Sequence, residues 1–405
     1  MKDPKQVYAR ALAAHEQGDV ATAVELYSRI LVQFPDADAV LYNQGLALFA
    51  LERFAEAVKA FGRAAELRRD DADTWYNLAL ALKRGEWYIE AVDAYQQALA
   101  LQPDDRDVLF NLANCCRESG DADQAAAYYE RLLELEPGHI SALNNFAYLC
   151  HRQQDYARAE ELYQRLLELK PEHPGALHLL AALRDETETT PDNAYIRDLF
   201  DQYSDSFEQS LVEKLQYRVP ELLSKLVCRI FPKEKPGGKK MYTHCLDLGC
   251  GTGLAGEFFI CSCNRLTGVD LSEKMIAQAA AKELYYRLVA DDVVHFLQQD
   301  DRHYDLLIAA DLLTYLADPE PLFQAAHQRG ATGALFVFST EHGEEADRQV
   351  RPTGRFAHHP GYIAETARRC GWQVLLSEEA DLRREADAWV RGDLFALVKK
   401  GDLCG

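Results

Sequence analysis

The chain has 405 residues, about twice the usual domain size, with 48% hydrophobic and 27% charged residues, so two soluble globular domains are expected. Its formal charge is −21, and residues 1–184 and 185–405 carry −10 and −11, so neither part has the basic excess that phosphate-backbone binding requires and no nucleic-acid partner is expected. Met1 to Gln6 is polar and no apolar run approaches the ~20 residues that span a bilayer, which predicts no membrane partner and a cytoplasmic location.

Residues 1–184 repeat themselves every 34 residues, in units that begin at Pro4, Asp38, Ala72, Arg106 and Ile140. The same offset holds Ala23, Ala57, Ala91, Ala125 and Ala159, and four residues later Tyr27, Phe61, Tyr95, Tyr129 and Tyr163. Proline closes four units, at Pro35, Pro103, Pro137 and Pro171. The small residue permits close helix contact, the aromatic fills the layer between units, and proline stops a helix. This resembles the tetratricopeptide repeat, which implies an all-α superhelix of antiparallel helix pairs. A sixth first helix, Gly175 to Leu183, follows in phase and is expected to cap the array.

In that family the first helices line a concave face. Asn43, Asn77, Asn111 and Asn145 recur at the sixth position of units two to five, with Asn114 and Asn144 nearby. An amide offers one acceptor and two donors, so such a ladder can pair with the backbone of an extended peptide. Asn77, Asn111 and Asn145 are the candidate substrate contacts, for a peptide or protein partner. Lys83, Arg84, Arg117, His151 and Arg152 add a cationic stripe suited to an acidic peptide or a carboxylate. The residues do not fix the oligomeric state.

Asp185 to Asn193 is acidic, hydroxyl-rich and without apolar periodicity, so the linker is placed at 185–193 and a second domain at 194–405. Helices are predicted from Ala194 to about Arg218, with Phe200, Tyr203 and Phe207 on one face, and from Pro220 to Phe231.

Thr243 to Gly253 then reads T-H-C-L-D-L-G-C-G-T-G, an apolar run that leads into Gly249, Gly251 and Gly253. Glycines at this spacing turn a strand sharply into a helix and bare the backbone N–H groups to a ligand. Gly251, Gly253 and Gly256 also fit the dinucleotide spacing, so two ligand classes remain open on the glycines alone. Beyond them strands and helices alternate as in a parallel α/β sheet, with Asp270, Asp291 and Asp311 just past strand ends, where such sheets bind ligands. Cys261 and Cys263 have no histidines at zinc spacing near them, and no metal is expected.

Leu246 to Gly253, with Gly268-Val-Asp270 and Leu271 to Met275, resembles the class I S-adenosylmethionine-dependent methyltransferases over roughly residues 194–400. The resemblance implies a Rossmann-like, mostly parallel seven-stranded sheet that ends in an antiparallel hairpin, here Trp372 to Glu378 with Leu394 to Lys399. It implies S-adenosylmethionine as cofactor and lid helices over 194–231, from which Tyr203 approaches the sulfonium. It assigns Asp247, Gly249, Cys250, Gly251 and Gly253 to the loop, Asp270 with Leu271 to the ribose, and Asp291 or its rival Asp292 to the adenine amine. Met275 would pack on the adenine face and Asp311 would stand near the methyl donor. Asp247 before the glycines and the hairpin separate this reading from a nicotinamide enzyme. Together with the Leu199 segment and Arg355-Phe-Ala-His358, the repeats resemble a bacterial group of tetratricopeptide-containing methyltransferases.

The acceptor segment is expected at Gly354 to Pro360. His358, His359 or Asp311 could take a proton, with Glu341-His342 a further pair, and Arg355, Arg383 or Arg384 could hold an acceptor carboxylate. The resulting expectation is a methyltransferase whose repeat array recruits a peptide or protein for O- or N-methylation. The alternative is an enzyme on a small molecule, whose array binds a partner or self-associates.

Overall fold

The computed structural model describes residues 3–186, 191–209, 215–230, 234–235, 239–344, 347–385 and 388–400. The chain divides into two compact units, Met1–Pro171 and Glu172–Gly405.

The first unit consists of helices α1 (Pro4–Glu16), α2 (Val20–Leu31), α3 (Asp38–Ala50), α4 (Phe54–Leu67), α5 (Ala72–Arg84), α6 (Tyr88–Leu101), α7 (Arg106–Ser119), α8 (Ala122–Leu135), α9 (Ile140–Arg152) and α10 (Tyr156–Leu169). Each repeat therefore begins where its periodicity begins. Asp19, Asp121 and Asp155 cap second helices by accepting a backbone N–H. All five repeated alanines are fully buried, as are the five repeated aromatics. Where the other units have alanine, unit two has Gly45, because a Cβ there would stand 2.6 Å from the Phe61 ring.

Successive units are also joined by polar rungs. Asn43, Asn77 and Asn111 each donate one amide hydrogen to the carbonyl four residues back. Each donates the other to a tyrosine 35 residues earlier, Tyr8, Tyr42 and Tyr76 respectively. The fourth unit carries Phe110 at that position, and Asn145 donates instead to Asn114 Oδ1, which also accepts from Tyr129.

The second unit opens with α11 (Pro174–Leu183), α12 (Asn193–Gln209) and α13 (Val219–Ile230), followed by a short ribbon, β1 (Glu234–Lys235) with β2 (Lys239–Lys240). Then come β3 (Tyr242–Leu248), α14 (Leu254–Phe259), β4 (Cys263–Asp270), α15 (Glu273–Ala281), β5 (Arg287–Ala290), α16 (Val293–Gln299), β6 (Tyr304–Ala309), α17 (Glu320–Arg329) and β7 (Gly330–His342). The strands β8 (Arg348–Val350) and β9 (Phe356–His358), α18 (Pro360–Arg369), β10 (Trp372–Glu385) and β11 (Ala388–Lys399) complete it. The sheet runs in the order β10-β11-β7-β6-β3-β4-β5, parallel from β7 to β5, with β11 antiparallel to both its neighbours. Those seven strands are the expected sheet, and β8 and β9 extend it from the end of β7. Alternate residues feed opposite cores: Leu246 and Leu248 of β3 pack in one, Cys245 in the other.

Several boundaries differ from the sequence reading. The division falls at Pro171, ahead of the expected linker, because α11 packs within the second unit: Ala182 joins Val350 and Phe356 in a small core, and His178 bonds Gly354. The first lid helix ends at Gln209 instead of Arg218; residues 215–218 are not helical, and 210–214 lie outside the described residues. The terminal hairpin is longer, because its outer half alternates charged residues that carry no apolar signal. The segment expected as an acceptor loop forms β9 and the start of α18.

Candidate active site

The turn from β3 into α14 needs left-handed backbone at Gly249, Gly251 and Gly253, with φ of +70°, +52° and +87°. The backbone N–H groups of Gly249 and Cys250 both donate to the Val269 carbonyl, at 2.8 and 3.0 Å. Asp270, at the end of β4, accepts the Gly251 N–H on Oδ2 at 2.8 Å and the Ser272 N–H on Oδ1 at 2.9 Å. Burial raises its pKa above the ordinary carboxylate value, opposed by those two donors. A Cβ on Gly251 would meet nothing within 4 Å, so the space beside that backbone is open.

Gly253 has the opposite role. A Cβ there would stand 3.0 Å from Tyr285, and one on Gly256 would stand 2.7 Å from the Tyr285 hydroxyl. Tyr285 fills the back of the loop and donates its hydroxyl to Asp247 Oδ2 at 2.7 Å. Asp247 Oδ1 is buried with no partner among the described residues. Burial pushes the Asp247 carboxyl up to about 7. Sequence reasoning missed Tyr285, which precedes a strand with nothing to distinguish it from a core aromatic.

A cavity opens above this loop at the carboxyl ends of the parallel strands. Gly249, Cys250, Gly251, Asp270, Leu271, Asp292 and Asp311, all candidates from the sequence, line it, and so does Val293. The lid helix α12 contributes Ile196 and Phe200, and Phe200 packs edge-on against Tyr315 at 5.4 Å. Asn193 donates to Asp292 and Ser272 donates to Asp201, so α12 is tied across the cleft at two points. Asp291 turns away to His295, at 2.9 Å, and lines only a more open polar cleft alongside, while Asp292 lines both that cleft and the main cavity. Met275 is fully buried and is not among the residues that line either cavity. The Tyr203 and Phe207 side chains lie outside the described residues.

The far end of the cavity is walled by Tyr217, Asp311, Tyr315 and Arg355. Behind them Arg383 is buried and makes ion pairs with Asp311 at 3.3 Å, Glu385 at 2.9 Å and Glu341. Arg355 reaches Glu385 at 3.0 Å and Glu341 at 3.7 Å, and its guanidinium lies 5.7 Å from the centre of the Tyr315 ring. Removing Arg383 would take from Asp311 its ion pair and leave Glu341 and Glu385 to Arg355 alone, which explains a charged side chain at so dry a position.

Neither candidate histidine is among the residues that line the cavity. His358 is fully buried on β9, stacked on Tyr362, and burial lowers its pKa to about 4. His359 caps α18, its Nδ1 accepting the Gly361 N–H at 3.1 Å. His342 is paired with Asp393 at 2.7 Å. Arg383 does not line the cavity and is held within the internal cluster, so Arg355 is the guanidinium that faces it. Spacing could not distinguish these positions, because β8 and β9 convert what reads as a polar loop into a sheet edge with one buried face. In the first unit both amide hydrogens of Asn77 and of Asn111, and one of Asn145, are used within the array, and Asn111 Oδ1 accepts from Lys83 at 2.8 Å.

Residues 246–336 match the family model described as a methyltransferase domain. Residues 66–175 match a model described as the tetratricopeptide domain of cytochrome c-type biogenesis protein H, and residues 8–74 and 42–88 match a tetratricopeptide-repeat model. Among curated proteins, a ubiquinone biosynthesis O-methyltransferase of Pseudomonas syringae pv. tomato is 27% identical over 110 residues, 25% of this chain and 44% of that protein. The chain thus spans less than half the length of the curated relatives it matches. Among solved structures, YrrB, titled a tetratricopeptide protein with an unusual peptide-binding site, is 23% identical over 44% of this chain and 91% of that chain, with a TM-score of 0.41. An S-adenosylmethionine-dependent methyltransferase from Clostridium acetobutylicum is 16% identical over 50% of this chain and 99% of that chain, with a TM-score of 0.37. The family models agree with the folds of the two units: the chain carries tetratricopeptide repeats followed by a methyltransferase domain.

Proposed function

We propose that this protein, a tetratricopeptide-repeat chain with a methyltransferase domain, transfers a methyl group from S-adenosylmethionine to a peptide or protein acceptor recruited by its repeats. The observation that carries the catalytic half of this reading is Asp270, which closes the glycine loop over open space at the switch point of a parallel sheet. The residues present fit the cofactor. The open cradle at Gly251 admits its backbone, and the orphaned Asp247 Oδ1 is an acceptor in want of a donor such as its ammonium group. Each Asp270 oxygen keeps a lone pair for a ribose hydroxyl, and Leu271 and Val293 would flank the adenine, with Asp292 at its amine. The bound cofactor would supply an electrophilic methyl on a sulfonium.

The chain's own contribution is to orient the acceptor and exclude water. Phe200, Tyr217 and Tyr315 make the acceptor end largely aromatic, and Arg355 offers it the one guanidinium among the residues that line the cavity. With His358 buried and His359 used as a cap, the proton of an alcohol or amide acceptor is not assigned to either. A carboxylate would need no base, and an amine could lose its proton after transfer. The reading of the array as a recruiting surface rests on the repeat fold and on the exposed remainder of its first helices. A second reading, a small-molecule acceptor with an array for partner binding or self-association, is favoured by the commitment of the asparagine donors to the array itself.

Asp270→Ala tests the catalytic half. It should weaken binding of S-adenosylhomocysteine, measured by calorimetry, by at least about tenfold, the worth of one charged hydrogen bond. Unchanged affinity in a folded variant would remove Asp270 from the site.

A further inference from the structure

The helix α11 keeps the phase of the array but not its bonding. Counting from Pro174, His178 occupies the fifth position, where Tyr8, Tyr42 and Tyr76 stand in the first three units. Those tyrosines accept a hydrogen bond from the asparagine of the following unit. No seventh unit follows α11, and His178 makes a different bond: its Nε2–H donates to the Gly354 carbonyl at 2.7 Å. The ring is 7% exposed, sits between Tyr195 and Phe356 at 5.2 and 6.2 Å, and its pKa is lowered by burial.

Gly354 belongs to the tight turn between β8 and β9. It has φ of +77°, its N–H donates to the Arg351 carbonyl at 2.8 Å, and the Arg351 N–H donates to the Arg355 carbonyl at 2.7 Å. Arg355 follows directly and enters the cavity. A Cβ on Gly354 would stand 2.9 Å from Leu179 and 3.1 Å from His178 Nε2, so glycine is what lets α11 come this close. Ala182 packs with Val350 and Phe356 on the same hairpin. The backbone atom nearest Arg355 that is held from outside the hairpin is thus held by a side chain of α11.

We propose that His178 is a positioning residue for Arg355: the sixth first helix has redirected the rung of the array to the turn that presents this guanidinium to the acceptor. The role of Arg355 rests on the methyltransferase reading; the coupling of His178 to Arg355 does not. Phe at 178 keeps a ring between Tyr195 and Phe356 but has no donor, whereas Gln keeps a donor.

In the full-length protein, the rate of phenylglyoxal modification at Arg355, read by peptide mass spectrometry, reports how firmly that side chain is seated. His178→Phe should raise it about fivefold, the equivalent of one ordinary hydrogen bond, with S-adenosylhomocysteine affinity within about twofold of the parent. His178→Gln should restore most of the protection, which a purely steric role for the ring would not. Equal labelling in His178→Phe and the parent, or equal labelling in the Phe and Gln variants, overturns the proposal. If the Phe variant does not fold, His178→Met replaces it against His178→Gln, and equal labelling of that pair has the same force. Failure of the parent to bind S-adenosylhomocysteine would sink the methyltransferase reading and leave this comparison intact.

Discussion

At the scale of single residues, Asp247 is a buried carboxyl with one oxygen bonded to Tyr285 and the other without a partner among the described residues. Folding raises its pKa from 3.8 to about 7 because burial disfavours the charge. Between those values the folded chain holds a proton that the unfolded chain has released. Stability therefore falls as pH rises through this window and levels off above about 7. Asp270 and Asp393, whose pKa values burial also raises, contribute with the same sign. Subtracting the urea-unfolding profile of Asp247→Asn from that of the parent isolates the Asp247 share. We expect the difference to fall by on the order of a few kcal/mol between pH 4 and pH 7. A flat difference would mean that Asp247 is not buried as described.

At the scale of elements, the rung is the unit of cohesion in the array. Tyr42 accepts from Asn77 at 3.1 Å across neighbouring repeats, and the hydroxyl has no counterpart in Phe110, where Asn145 takes another partner. Tyr42→Phe should destabilise the array by about 1 kcal/mol in chemical unfolding, and the double variant with Asn77→Ala should lose less than the sum of the two changes. Strict additivity would mean that the rung contributes nothing. The starts of the five first helices were legible, because a 34-residue period of small and aromatic positions marks where each unit begins. The parallel strands and the acids at their ends were legible too, since apolar runs and terminal aspartates read directly. The rungs were not: asparagine at a repeated position signals a polar role without naming its partner, which lies 35 residues away. Arg383 and His358 were misread for a related reason. Each looks polar and exposed in sequence, and only the pairing of β9 with β7 and of β10 with β11 buries them.

At the scale of the whole molecule, the division at Pro171 changes where the chain can be cut. A boundary at Asp185, the natural choice from composition, removes α11 and with it Ala182 and His178, which pack against the hairpin that carries Arg355. Residues 172–405 should bind S-adenosylhomocysteine with the affinity of the full chain. Residues 185–405 should melt about 5–10 °C lower, because several buried side chains of α11 are lost. Equal melting temperatures for the two fragments would return α11 to the array. The comparison also bears on recruitment: only the longer fragment can report whether acceptor turnover survives loss of the repeats, since the shorter one also loses the side chains packed against the hairpin that carries Arg355.

The two backbone donors held by Asp270 have a consequence for the thermodynamics of the site. Gly251 and Ser272 lie on different loops, and one carboxylate fixes both within the folded protein. The entropy of ordering the glycine loop is thus spent in folding, and a ligand meets a rigid template. Association there should run close to the encounter rate, with the enthalpy of new contacts little diluted by loop closure. Differences in affinity among ligand analogues should then appear almost wholly in their dissociation rates.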